Sequence, residues 1–214
     1  MKGIIRVIGL VILMVVMFSA MAFSTTNLTY WYNNATDADT TIVGYQWVDG
    51  SYCIRNLSSD SSFTTKFVSA VENAATKWDS TLPISIFETS QYSALGYVYG
   101  GTKSELSGIF PGLTSATTGL TSLSLPEEPL SENVYYGSER KYVYKLIGGK
   151  MCIVNKGRTQ SEYNNTAIHE MGHLLGWLGH SNNSSHVMYS YANGVTTLTP
   201  ADKNHIVQIY NRFY

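Results

Sequence analysis

The chain has 214 residues, the length of one domain or one and a half, which excludes a multidomain assembly. Hydrophobic residues make up 44% of it, enough for a packed core and too many for a disordered chain. Charged residues make up only 14% and the formal net charge is -1, so the electrostatic case for binding nucleic acid fails.

At the amino terminus Lys2 and Arg6 precede an unbroken apolar run over residues 7–18, and Ala20-Met21-Ala22 has the small-x-small pattern of a cleavage site. Residues 1–22 therefore read as a secretory signal peptide. An uncleaved anchor is the rival reading, but the apolar stretch ends near the lower limit of what spans a bilayer. Cleavage would leave 12 basic against 15 acidic residues and a formal charge of -3 over residues 23–214. The expectation is one secreted, extracellular, monomeric domain with no stable membrane association. Cys53 and Cys152 remain in it, and an oxidising compartment permits a single bridge between them.

Residues 28–32 and 41–47 are rich in β-branched and aromatic side chains and read as strands, with a turn at 33–37 between them. Over residues 62–80 the pattern changes to helical spacing, with Phe67, Val71, Ala74 and Trp78 on one face and Pro83 beyond the end. Residues 84–88 and 95–99 read as the next strands. Residues 101–132 are rich in Gly, Ser, Thr and Pro without periodicity and read as a long surface loop. Strand character resumes at 142–145 and 151–155, around Gly148-Gly149. Asn164-Asn165-Thr166 offers cap oxygens ahead of a helix over 167–175, and Thr199-Pro200 opens a closing helix that runs to about residue 212. Strands early, one helix between and two helices late make an α+β domain with a mixed sheet.

All five histidines follow residue 168: His169, His173, His180, His186 and His205. Four residues apart on a helix, His169 and His173 differ by about 40° in direction and about 6 Å in height, so both imidazoles leave one face toward a common point. They can share one zinc ion. Glu170 between them completes H-E-x-x-H, in which the glutamate is no ligand but reaches a water on the metal and takes its proton as that water attacks a peptide carbonyl. The plainer reading is two histidines on an amphipathic helix beside an acid. A catalytic zinc needs a third protein ligand, and the candidates downstream are His180, His186 and Asp202, the only acid after Glu170. On a continuous helix His180 would stand about 10.5 Å beyond His173, so the helix has to stop and turn back, and Gly176 and Gly179 are placed for that. Otherwise His186 reads as a histidine of a polar surface loop, and His205 as exposed or at the edge of the core.

The string His169-Glu170-Met171-Gly172-His173-Leu174-Leu175-Gly176-Trp177-Leu178-Gly179-His180, followed by Val187-Met188-Tyr189, resembles the HExxHxxGxxH signature and methionine turn of the metzincin zinc peptidases, and among them the matrixin-like branch. The third histidine arrives one residue later than in that signature. The resemblance implies a mixed twisted sheet with a long first helix, an active-site helix carrying HExxH, and a C-terminal helix. It implies zinc on His169, His173 and His180, Glu170 as general base, and Met188 as a floor beneath the metal. It also implies that Leu28-Thr29-Tyr30 is the first strand, that the strand at 151–155 pairs with an extended polypeptide substrate, and that residues 189–193 wall the pocket beyond the scissile bond. No histidine precedes residue 169, so a second, structural zinc cannot be built in that family's usual way, and Cys53 lacks the surroundings of a cysteine switch. Asp37 and Asp39 are candidates for calcium, or simply a turn. The function expected is a secreted zinc endopeptidase. The alternative is a secreted binding module on the same fold that keeps zinc as a clip without turnover.

Overall fold

The computed structural model describes residues 25–28, 41–44 and 50–210. The signal segment, the turn at 33–37 with Asp37, the nearby Asp39, and residues 211 and 212 of the closing helix lie outside the described residues, as do 29–32 and 45–47 of the first two expected strands. In chain order the elements are β1 (Thr25–Leu28), β2 (Thr41–Gly44), β3 (Tyr52–Asn56), α1 (Ser61–Asp79), β4 (Gly96–Gly101), α2 (Lys103–Leu106), β5 (Gly119–Ser124), β6 (Leu130–Tyr136), β7 (Glu139–Lys145), β8 (Gly148–Val154), α3 (Gln160–Leu174) and α4 (Pro200–Tyr210). No helix among the described residues is long and apolar enough to cross a membrane.

The strands form two four-stranded sheets, ordered β1-β6-β7-β2 and β3-β4-β8-β5. In the second, β3, β4 and β8 are parallel and β5 runs antiparallel along the edge. Residues 84–88 run beside β3 through the bonds Gly50 N to Ser85 O and Tyr52 N to Phe87 O, so the expected strand there is a short parallel contact. Successive side chains alternate between the two sides of this sheet. One side carries Val98, Met151 and Ile153 against α1 and α3, where Phe67, Val71, Ala74, Ile168, Met171 and Leu174 complete the main core. Burial of each large apolar side chain here contributes about 1.5–3 kcal/mol. Trp78 seals the seam between the helices by donating its indole N–H to the Ile168 carbonyl at 2.9 Å. The other side is covered by Leu106, Phe110 and Leu113, packed on Cys152 and Val154.

Several expectations change. Residues 101–132 are not one loop, because they hold α2, β5 and the start of β6. The capping box of Thr102 and Glu105 starts α2, and six residues of β5 gain their order by pairing with β8 from Gly119 opposite Ile153 to Ser124 opposite Gly148. The helix expected at 167–175 begins at Gln160, and Asn164, Asn165 and Thr166 lie inside it. The helix-bearing sheet starts with β3 rather than at residues 28–30, since Leu28 ends β1 in the other sheet. Residues 151–154 belong to β8, whose two edges are already taken by β4 and β5; the edge strands are β3, which meets residues 84–88, and β5. Cys53 and Cys152 are both free and buried. Cys53 stands opposite Tyr97 and Cys152 opposite Tyr99, on strands separated by β4. Two strand spacings and a two-residue offset along the strands put their Cα atoms about 12 Å apart, beyond the roughly 7 Å that a disulfide spans.

Candidate metal centre

Helix α3 is held at both ends by its own sequence. At the start, the Glu162 carboxylate accepts from the Thr159 N–H at 2.9 Å and from its hydroxyl at 2.7 Å, while Thr159 Oγ1 accepts from the Glu162 N–H. At the end, Gly176 N–H reaches the His173 carbonyl and Trp177 N–H reaches back to the Gly172 carbonyl, both at 2.9 Å. That pair of bonds is a Schellman motif, and Gly176 adopts the φ of 106° it requires at no steric cost. Gly179, at φ 74°, completes the reversal, and His180 comes back beside the helix instead of continuing along it. The extra residue in the ligand spacing is absorbed in this glycine-bounded turn.

The reversal also orients the rings. His169 Nδ1 donates to the Val187 carbonyl at 2.8 Å, and His173 Nδ1 donates to the Trp177 carbonyl at 2.7 Å. Carbonyl oxygens only accept, so both protons sit on Nδ1 and each neutral ring presents a lone pair at Nε2. Burial keeps the rings neutral: it holds His169 down to about 4, and holds His173 well below its ordinary value with the help of His169 and His180. The two Nε2 atoms face one another at 3.1 Å. Two lone pairs at that distance repel, and a cation between them turns the repulsion into two bonds. The His180 ring lies 5.2 Å from His169 and 4.9 Å from His173 between centroids, and ligand nitrogens of all three fall within 4.8 Å of one another. A tetrahedral zinc with bonds of about 2.0–2.1 Å sets its ligand nitrogens about 3.3 Å apart, so this donor set fits the ion. No other group of this kind occurs among the described residues.

Glu170 lies on the same helix and is 7% exposed. Burial pushes its carboxyl up to about 7, opposed by a hydrogen bond from the Thr121 hydroxyl to Oε2 at 2.7 Å. Met188 is buried against Gly172, between His169 and His173 in the sequence, where an added Cβ would meet its sulfur at 2.6 Å. The methionine turn is held by Asp202, whose carboxylate accepts from the Val187 and Met188 N–H groups at 3.3 Å each and from the Thr199 N–H and hydroxyl. The triad and Glu170 open into a cleft of about 660 Å³ bounded by β5, Leu178 and residues 189–192, which places Tyr189 and Tyr191 on its wall.

Three residues depart from expectation. Asp202 is a buried brace rather than a ligand. His186 is 9% exposed and its Nδ1 hydrogen-bonds with the buried Ser181 hydroxyl at 2.7 Å, so it steadies the turn after His180 instead of lying on the surface. His205 is 2% exposed and packs 4.3 Å from Trp177 between ring centroids. The part played by Thr121 and Gly119 beside Glu170 has no signature in the sequence. By contrast, Thr159-x-x-Glu162 and Thr199-x-x-Asp202 both fit the capping-box pattern and could have marked both helix starts.

Comparison with curated proteins finds no match. The matrixin family model matches residues 46–211, from just before β3 through α4, and takes in the whole helix-bearing sheet, the triad and Met188. The family implies zinc, peptide-bond hydrolysis and a polypeptide substrate. With three-quarters of the chain inside that match and a histidine triad that accommodates the metal, this protein belongs to the matrixin family of zinc metallopeptidases.

Proposed function

We propose that the protein is a secreted zinc endopeptidase in which His169, His173 and His180 hold the ion and Glu170 is the general base. The observation that carries this reading is the convergence of two half-buried Nε2 lone pairs at 3.1 Å, with a third imidazole near them and a buried carboxyl on the same cleft. Zinc, when bound, supplies a Lewis acid that polarises the scissile carbonyl and makes a water molecule acidic enough to lose a proton near neutrality. Glu170 would take that proton on its carboxylate and deliver it to the departing amine. The Val187 and Trp177 carbonyls keep the His169 and His173 rings in the tautomer that ligates. An extended substrate adds to the free edge of β5, and Tyr189 and Tyr191 flank its side chains. Export through residues 1–22 and a monomeric state free of the membrane belong to this proposal on the strength of the sequence alone. Glu170→Gln decides between an enzyme and a zinc-clipped binding module. It is expected to keep one metal per chain and to lower kcat by about 10²–10⁴-fold, and equal activity in variant and wild type would remove Glu170 as the base.

A further inference from the structure

We infer that Gly119 and Thr121 of β5 form a seat that fixes the Glu170 carboxylate, and that Thr121 is a positioning residue for peptide hydrolysis. The inference rests on the reading of Glu170 as the base. Two residues apart on one strand, Gly119 and Thr121 look out of the same side of the sheet, the side on which α3 packs. The Thr121 hydroxyl lies 2.7 Å from Glu170 Oε2 and 3.1 Å from the Glu170 carbonyl oxygen, so a single donor ties the carboxylate to the edge strand and the edge strand to the helix backbone. Gly119 supplies the room. A Cβ there would stand 2.6 Å from Glu170 Cγ and 2.8 Å from Oε1, and would also press on Thr166. One carboxylate oxygen is thus anchored and the other has space only where glycine leaves it. The β-branched threonine holds its own χ1 firmly, which gives the hydroxyl a fixed direction where serine would have several.

This matters because a base acts only within hydrogen-bond reach of the proton it takes, and a misplacement of about 1 Å costs about a hundredfold in rate. Glutamate has three rotatable side-chain bonds, and without the hydroxyl nothing else in the observed hydrogen bonds holds its carboxylate. The seat lies on β5, an edge strand with no outer partner strand among the described residues, so the element that would align an extended peptide also aligns the base.

The test uses the full zinc-loaded protein and a long fluorogenic peptide, with kcat, KM, metal content and melting temperature measured for each variant. Thr121→Val is expected to lower kcat about 10- to 100-fold, with KM within about twofold and one zinc per chain retained. Thr121→Ser, which keeps the hydroxyl, recovers to within about fivefold of wild type, and Gly119→Ala loses kcat in the same manner as Thr121→Val. In a Glu170→Gln background, Thr121→Val changes the residual rate by less than about twofold, because the group it acts through is gone. A wild-type kcat in Thr121→Val, an equal loss in Thr121→Ser, or a loss carried by KM overturns the seat while leaving Glu170 as the base. Full activity in Glu170→Gln overturns both readings. If Thr121→Val melts far below wild type, Thr121→Ala replaces it under the same criteria.

Discussion

Gly172 is bare because the Met188 sulfur occupies the place where a side chain would begin, and the Trp78 ring closes in at 2.9 Å from the same point. Alanine is the better helix former by about 1 kcal/mol, so a position inside α3 that keeps glycine is governed by packing. Gly172→Ala is expected to lower stability by about 1–2 kcal/mol net, and to weaken metal binding as the displaced Met188 disturbs the helix between His169 and His173. Urea midpoints and zinc titration check both effects, and an unchanged midpoint would mean that Met188 can move aside. The histidines separate by position in a similar way. His180→Ala removes a ring that faces the common point, and is expected to lower zinc affinity by more than about a hundredfold. His186→Ala removes a ring that holds Ser181, one residue beyond His180, rather than one that faces the common point, and the affinity loss stays below that range. The reverse order would reassign the third ligand.

Between elements, Asp202 joins the start of α4 to the turn that carries Met188. Its carboxylate accepts four hydrogen bonds, two from Val187 and Met188 and two from Thr199, so it serves as helix cap and loop brace together. Asp202→Ala strands those donors in a buried site and is expected to cost about 2–4 kcal/mol, whereas Asp202→Asn, which still offers an acceptor oxygen, costs less. Denaturant unfolding of the two variants tests the brace; equal losses would mean that charge rather than acceptor geometry matters. The start of α4 was legible in Thr199-Pro200, though not the part of Asp202 in its cap, and the periodicity of Phe67, Val71, Ala74 and Trp78 located α1 to within a residue at either end. The start of α3 was misplaced by seven residues, because Asn164 to Thr166 are competent cap formers that the Thr159–Glu162 box pre-empts. β5 and β6 escaped notice for a different reason. Gly119 to Ser124 has little apolar alternation of its own, and its order comes from β8, a partner some thirty residues away that local pattern cannot reveal. His169 and His173 were readable as a pair from helical spacing, and the resemblance to the metzincin signature singled out His180 beside them, while the neighbours of Glu170 depend on how a sheet edge meets a helix.

For the molecule as a whole, stability should depend on acid through its buried histidines. Burial holds His169 to about 4 and His205 to about 3, and lowers His173 and His180 as well, against an unfolded value of 6.5. As pH falls below 6.5 the unfolded chain takes up protons that the native chain refuses, so stability present above 6.5 is lost progressively toward the folded values. Glu170 acts in the opposite sense between 4.5 and about 7, where the native chain holds a proton that the unfolded chain has released, and it offsets one histidine. The metal-free protein is therefore expected to lose stability steeply on acidification, and saturating zinc, which binds only the native triad, should raise it by about 4 kcal/mol at a thousandfold excess over Kd. His205 isolates the acid effect from the metal, since it belongs to the Trp177 contact and not to the triad. In zinc-saturated protein, His205→Leu should flatten the dependence of unfolding free energy on pH between 6.5 and 4 by about 1.4 kcal/mol per pH unit, the equivalent of one proton. Urea unfolding at half-unit pH intervals measures that slope directly. Identical slopes in variant and wild type would show that His205 takes up its proton in the native state at an ordinary pH, and the packing of α4 against the ligand turn would have to be looser than the buried ring contact implies.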